Sequence, residues 1–308
     1  MYKENQQKKN NSSLPAKAAA VDLTEFDAAA ITRRTTPDIR GRVPSWCKRI
    51  TVGIDVGKWL CHWTALAWGE HATPHVIEYG RLEVPSRDMA EELAILTALR
   101  KFQDEIFATG WPADGGPMRP DLVFVDVGYK QDTVRQFVGE SGPAWWGIKG
   151  FSRLTDEDAK RQNSKLVSKG KDSVVVDLLD GLPMIVESQA NAWKSWLHAR
   201  LQTPMGQPGA MTLYNPGPRA VEHMGFAKHL TAERKMEEFV AGKGLVTKWE
   251  AVNRNNHWLD ATCMAAVAGW YAGERLIGEQ PKPPPAPQAE RSSGFSTPDG
   301  RPFLITHR

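Results

Sequence analysis

Long apolar runs are missing from this sequence. No stretch approaches the roughly 20 apolar residues that a helix needs to cross a bilayer. The N-terminal segment MYKENQQKKNNSSLPAKAAA also lacks the apolar core of a secretory signal. These absences argue against a membrane protein and a secreted protein, and we expect a soluble chain with no membrane partner.

Cysteine and net charge are also scarce. The three cysteines, Cys47, Cys61 and Cys263, have neither metal-type nor disulfide-type spacing, which favours a reducing compartment. A formal net charge of +3 is too small to indicate nucleic-acid binding, although it does not oppose it. No internal repeat is visible.

Composition along the 308 residues predicts one folded domain between two tails. Residues 1–20 are polar and basic, and residues 277–308 are rich in Pro and Ser, so neither segment can bury enough apolar surface to offset chain entropy. We predict disorder in both tails, an N-terminal arm over 21–48 and a folded domain over 49–276.

In the first half of that domain the residue pattern is typical of β-strands. The runs ITVGIDV (50–56), WLCHWTALAW (59–68) and HVIEYGRLEV (75–84) are joined by two short connections that both contain Gly, which favours a three-stranded antiparallel meander. A helix is predicted over 86–108, with Ser86 as its N-cap and Gly110 as its stop. Its expected apolar stripe is Met89, Leu93, Leu96, Leu99 and Ile106.

In the second half helices and strands alternate. DLVFVDVG (121–128) is apolar on both faces, which is typical of a central, covered strand. The further predictions are a helix at 130–140, a strand in AWWGIKG, a strand and helix over 184–200, a loop at 204–218, a helix at 228–241, a strand at 244–250 and a helix at 257–273. This order predicts an α/β fold with a ribonuclease H-like mixed sheet and flanking helices.

Three aspartates occupy related places in this pattern. Asp55 ends the first strand on the side that it shares with Gly53, which leaves room for an ion or a phosphate. Asp126 ends the central strand, which a crossover helix would bring back parallel to the first. Asp260 lies on the buried stripe of the last helix, where small alanines allow close approach to the sheet.

Three clustered carboxylates cannot all stay ionised without a counter-charge. Hard oxygen ligands indicate two Mg²⁺ or Mn²⁺ ions, which would serve phosphodiester cleavage. Each aspartate could also have a purely structural role. Asp55 could be a hairpin residue, Asp126 a helix cap and Asp260 a charge that interacts favourably with a helix N-terminus.

An ordered set of segments resembles the nuclease domain of the phage terminase large subunit, lambda type (GpA-like). It runs from about residue 40 to 273 and consists of GRVPSWCKRITVGIDVGKWLCHWTALAWG, VFVDVGYKQDTVRQFV, WWGIKGFS, NAWKSWLHARL, HLTAERK and NRNNHWLDATCMAAVAGW. The resemblance implies a metal-dependent endonuclease that cuts concatemeric double-stranded DNA during genome packaging in the host cytoplasm.

The resemblance also assigns residues. It implies that Asp55, Asp126 and Asp260 bind metal and that Lys149 contacts a phosphate or the transition state. His257 stands where many relatives have an acid, so it is expected in the outer shell of the site or in no special role. Other predicted DNA contacts lie in the basic stretch after Lys149 and before the last helix: Arg153, Lys160, Arg161 and Arg254.

No Gly-x-x-x-x-Gly-Lys-Ser/Thr phosphate loop occurs in the sequence. The resemblance therefore implies an ATPase motor that is separate or missing. The implied partners besides DNA are the small terminase subunit and the portal of the procapsid.

Three other functions stay open. Resolvases and transposases share the ribonuclease H-like acids, a packaging adaptor could keep the fold without catalysis, and a sugar-kinase or actin-like ATPase also has a GIDVG-type turn. A sugar kinase or actin-like ATPase would also have a Gly-rich adenosine-binding loop later in the chain, and no such loop is evident.

Overall fold

The computed structural model describes residues 21–22, 26–85, 89–151, 173–179, 182–217, 222–240, 242 and 244–276. The predicted tails (1–20 and 277–308), the predicted N-cap Ser86 and the basic stretch 152–172 lie outside these residues. The division into arm and domain at residue 48 stays a prediction.

Twelve strands and six α-helices are present in the described part of the chain. In chain order they are β1 (Val21–Asp22), α1 (Ala28–Thr32), β2 (Thr35–Ile39), β3 (Arg49–Asp55), β4 (Leu60–Gly69), β5 (Thr73–Glu83), α2 (Glu91–Phe102), β6 (Leu122–Asp126), α3 (Gln131–Ser141), β7 (Trp145–Phe151), β8 (Ser173–Leu179), β9 (Leu182–Gln189), α4 (Ala190–Gln202), β10 (Thr212–Asn215), α5 (Glu222–Leu230), β11 (Glu233–Val240), β12 (Gly244–Ala251) and α6 (His257–Tyr271). None of these helices is long and apolar enough to span a bilayer.

Nine of the described strands form one mixed sheet in the order β2-β10-β5-β4-β3-β6-β7-β9-β8. Its centre consists of the antiparallel meander β3-β4-β5, extended on the other side of β3 by parallel β6 and β7. This is the predicted ribonuclease H-like arrangement. The second sheet, β1-β11-β12, is antiparallel.

Helices cover both faces of the large sheet. Ile50, Val52 and Ile54 of β3 pack in the core that contains the buried side chains of α2 and α3. The opposite face of the sheet packs in a second core with residues of α1, α4, α5 and α6. On that face Thr51 donates from Oγ1 to the carbonyl of Ala265 in α6 at 2.8 Å. Asp55 therefore lies on the side of β3 that faces α6.

Helix α2 is shorter than predicted. It begins at Glu91 after the N-cap Ala90 and passes into a π-helical turn at Gln103–Phe107. Met89 and Leu93 of the predicted stripe are exposed, whereas Leu96 and Leu99 are buried. The buried face is completed by Ala94, Ile95, Ala98 and Phe102. Within α2 the buried face thus shares Leu96 and Leu99 with the predicted stripe.

Two predictions in the C-terminal third were wrong. Residues 233–240 form strand β11, not the end of a helix, because they pair in antiparallel register with β12 through a tight turn at Gly242. Their Glu, Lys and Met residues favour helix locally, and tertiary pairing overrides that preference. The predicted loop 204–218 contains strand β10, which lies between β2 and β5.

Helix α6 lies unusually close to the sheet. A Cβ atom at Gly53 would stand 2.6 Å from the amide nitrogen of Ala265 and 2.8 Å from Cβ of Met264, and nearer still to the carbonyl oxygen of Ala261. The alanines of α6 permit this approach, as predicted. The expectation that Gly53 leaves room for an ion is corrected, because the backbone of α6 fills that space.

Candidate metal centre

The ends of two adjacent strands bring Asp55 and Asp126 together. Strands β3 and β6 run parallel, with Ile54 opposite Val125, so the next residue of each strand is an aspartate at the same level. Asp260 lies in the first turn of α6, which crosses this sheet edge. The three carboxyl groups line one cleft of about 240 Å³.

Asp126 is held by its own turn and lines this cleft as a partly buried residue. The backbone N–H of Gly128 donates to its Oδ1 at 2.9 Å. Burial, followed by the negative charge of Asp55, raises the pKa of Asp126 to about 7. In the absence of a cation this carboxyl group is therefore half protonated near neutral pH.

Asp260 has a similarly raised pKa and two partners. Burial raises the pKa to about 7, while the ammonium group of Lys194 opposes the shift. Lys194 Nζ stands 3.7 Å from Oδ1 of Asp260. The side-chain amide of Asn256, one turn earlier in the chain, donates to Oδ2 at 2.9 Å. These partners fix the direction in which the carboxylate oxygens point.

Lys194 and Glu233 are site residues that the sequence analysis missed. The ammonium of Lys194, only 8% exposed, is 2.7 Å from both carboxylate oxygens of Glu233. Asn256 donates to the same carboxylate at 2.8 Å. The signal in the sequence was a lysine at helical spacing from His198 and Leu201, both buried in α4. Glu233 carried no signal, because its strand was predicted as helix.

Asp55 contacts a histidine from α6. Nδ1 of His257 lies 2.8 Å from Oδ2 of Asp55, and this hydrogen bond to the carboxylate raises the pKa of the imidazole. The ring of His257 stacks on His62, which pairs with Asp55 across β3 and β4. Burial lowers the pKa of His62 to about 3, so its ring is neutral near pH 7. His257 thus lies beside a predicted ligand, as expected of an outer-shell residue, and its role stays a prediction.

Two of the predicted DNA contacts, Lys149 and Arg254, lie among the described residues. Lys149 stands in β7 between Ile148 and Gly150, which line the cleft. Its ammonium lies 5.5 Å from the ring centre of Phe151, and its positive charge opposes the rise in the pKa of Asp126. Arg254 is exposed in the loop before α6. Arg153, Lys160 and Arg161 lie outside the described residues.

The donor set suits a hard divalent cation. Asp55, Asp126 and Asp260 supply carboxylate oxygens from three elements, and their mutual repulsion and burial are the conditions that a bound cation relieves. Each carboxyl group is also oriented by a neighbour, which is how proteins keep metal ligands in place.

Comparison with known proteins gives a family match over most of the chain. The family described as terminase large subunit gpA, endonuclease domain, matches residues 4–276. No curated protein is a significant match.

Several solved structures are similar to parts of the chain. A mutant nuclease domain of the large terminase subunit gp2 of bacterial virus Sf6, with manganese, is 13% identical over 72% of this chain and 89% of that one, with a TM-score of 0.37. The large terminase of bacteriophage HK97 is 12% identical over 81% of this chain and 44% of that one, with a TM-score of 0.34. Thermus thermophilus RuvC is 13% identical over 72% of this chain and 94% of that one, with a TM-score of 0.29.

Proposed function

Because the chain belongs to the family of terminase large subunit gpA endonuclease domains, we propose that it is a metal-dependent endonuclease that cuts concatemeric double-stranded DNA during phage genome packaging. Its proposed partners are a terminase ATPase motor, the small terminase subunit and the portal of the procapsid. The family match supports these proposed roles.

The observation that carries the proposal is the convergence of Asp55, Asp126 and Asp260 in one cleft. These residues would hold two Mg²⁺ or Mn²⁺ ions. When bound, the ions supply the Lewis acidity that phosphodiester hydrolysis needs near neutral pH. The raised pKa values of Asp126 and Asp260 support this assignment, because a site built for cations destabilises its own ionised carboxylates until a cation arrives.

The protein's own contribution is to orient those carboxylates. Gly128 holds Asp126 through a backbone N–H, and Asn256 holds Asp260 through a side-chain amide. Lys194 keeps a positive charge beside Asp260, while Glu233 keeps that lysine in place. The side chains therefore do not have to reorganise when substrate arrives.

Duplex phosphates would be held without sequence choice by basic side chains outside the cleft. Lys149, Arg153, Lys160, Arg161 and Arg254 are the proposed contacts. Lys248 is a weaker choice, because Glu238 and Glu250 already pair with it at 2.5 and 2.7 Å.

A plasmid cleavage assay tests the proposal. Wild-type protein should nick and linearise supercoiled DNA in Mg²⁺ or Mn²⁺ and do nothing in chelator. The Asp126→Ala variant should lose this activity, whereas Asp132→Ala, which removes an exposed acid from the first turn of α3, should keep it.

Equal cleavage by wild type and Asp126→Ala would refute the metal assignment. No cleavage by wild type with either ion would favour a non-catalytic packaging adaptor. A four-way DNA junction, tested beside a linear duplex, separates a resolvase from an enzyme that cuts ordinary duplex.

A further inference from the structure

A second group of metal-ligating side chains shares Asp55 with the carboxylate cleft. One ligand atom each from Asp55, His62 and His257 lies within 4.8 Å of the other two. Asp55 and His62 face each other across the antiparallel strands β3 and β4, and His257 is the first residue of α6. The three-carboxylate assignment makes no use of either histidine.

The buried Nδ1 atom of His62 indicates that this group binds a ligand. The residue is 6% exposed, and its Nδ1 has no hydrogen-bond partner among the described residues. A buried polar atom without a partner carries a desolvation cost, which a bound ion would offset.

We propose that Asp55, His62 and His257 bind a first-row transition-metal ion such as Mn²⁺ in preference to Mg²⁺. The inference rests on the proposed function, since it assigns nitrogen ligands to one of the two ions of the same nuclease centre. Asp55 would then bridge the imidazole side and the carboxylate side of the centre.

Binding of one ion requires a movement of one side chain. Two ligands at about 2.1 Å from one ion stand at most about 4.2 Å apart, and the three ligand atoms already lie within 4.8 Å of one another. The rings of His62 and His257 are stacked, with centroids 4.6 Å apart and planes at 13°. Imidazole nitrogens bind in the plane of the ring, so the His257 ring must turn out of this stack for both nitrogens to reach one ion. That side chain is 42% exposed, which leaves it space to turn.

The ligand chemistry sets the choice of ion. Imidazole suits transition metals, and their affinity for nitrogen ligands exceeds that of Mg²⁺, which requires oxygen ligands and keeps its waters. An acid in place of His257 would leave His62 as the one nitrogen ligand of the group. The second histidine thus strengthens the preference for a transition-metal ion.

Electron spin-echo spectroscopy of Mn²⁺ added to the full chain tests the proposal, because it detects nitrogen nuclei bound directly to the ion. The wild type should show ¹⁴N coupling. His62→Phe and His257→Asn should each lose part of it and weaken Mn²⁺ binding by roughly tenfold or more, measured by calorimetry. His257→Asp should narrow the preference for Mn²⁺ over Mg²⁺.

His229→Gln is the matched control. The His229 ring lies 6.0 Å from that of His257 but contributes no ligand atom to the group, and a glutamine can still accept from the backbone N–H of Trp258. This variant should keep the full ¹⁴N coupling.

Absence of ¹⁴N coupling in the wild type would overturn the inference, and so would unchanged coupling in His257→Asn. That exposed position keeps the test valid even if His62→Phe does not fold. Asp126→Ala separates the two proposals: it should lose cleavage yet keep the ¹⁴N coupling. Loss of cleavage without any coupling in the wild type leaves the nuclease assignment intact and refutes the histidine site.

Discussion

Replacing Gly53 with alanine tests how closely α6 packs on the sheet. The added Cβ would meet three atoms of α6, and two of them belong to the helix backbone, which cannot rotate away. It would stand 2.6 Å from the Ala265 nitrogen and nearer still to the Ala261 carbonyl oxygen, so the helix must retreat by more than about 0.8 Å to restore ordinary van der Waals contact.

Overpacking of this kind costs about 1–3 kcal/mol, and the backbone atoms involved place Gly53→Ala at the upper end. For a domain of this size, about 3 kcal/mol corresponds to a fall in Tm of roughly 6–12 °C. Calorimetry and urea unfolding of the metal-free protein would measure it.

Gly150→Ala provides the matched control in the same sheet. A Cβ there would lie 3.5 Å from Cβ of Ala190, an ordinary contact, and alanine costs less backbone entropy than glycine. Stability should stay equal or rise by up to about 1 kcal/mol. If Gly53→Ala were as stable as Gly150→Ala, α6 would not rest against β3 as described.

Two further predictions concern charge in the cleft. Asp126 and Asp260 keep protons in the folded state up to about pH 7, whereas the ordinary value is 3.8, so folded protein binds more protons than unfolded protein between these limits. The stability of metal-free protein should therefore fall as pH rises from 4 to 7, and Asp126→Asn should flatten this slope in thermal scans; a rise with pH would contradict the assignment. Lys194→Met leaves the Glu233 carboxylate buried without its cation, which should cost about 3–5 kcal/mol in urea unfolding. Adding Glu233→Gln should recover part of this loss, and strictly additive losses would show that the two groups do not interact.

The central fold could be predicted because its pattern is local. The alternation in β3, β4 and β5 and the doubly apolar β6 fix both the strands and the faces that they bury. The failures occurred where local preference and pairing conflict. Strand β11 consists largely of residues that favour helix, and only its partner β12 makes it a strand. Strand β10 is short and follows a Gly- and Pro-rich segment.

The candidate site was predictable only in part for the same reason. Asp55, Asp126 and Asp260 each interrupt an apolar run, so the sequence alone singles them out. Lys194 and Glu233 become neighbours because α4 lies against the first residue of β11, a contact between distant segments. His62 resembled an ordinary strand residue, and its place opposite Asp55 depends on the register of β3 and β4.

The distance along the chain between Asp55 and Asp260 affects when the carboxylate cleft can form during synthesis. A ribosome finishes β3 and β6 long before it reaches α6, and until then Thr51 has no Ala265 carbonyl to bond. A nascent or prematurely ended product therefore lacks Asp260 and the helix that covers the sheet, so the cleft is completed only by the last helix in the described part of the chain.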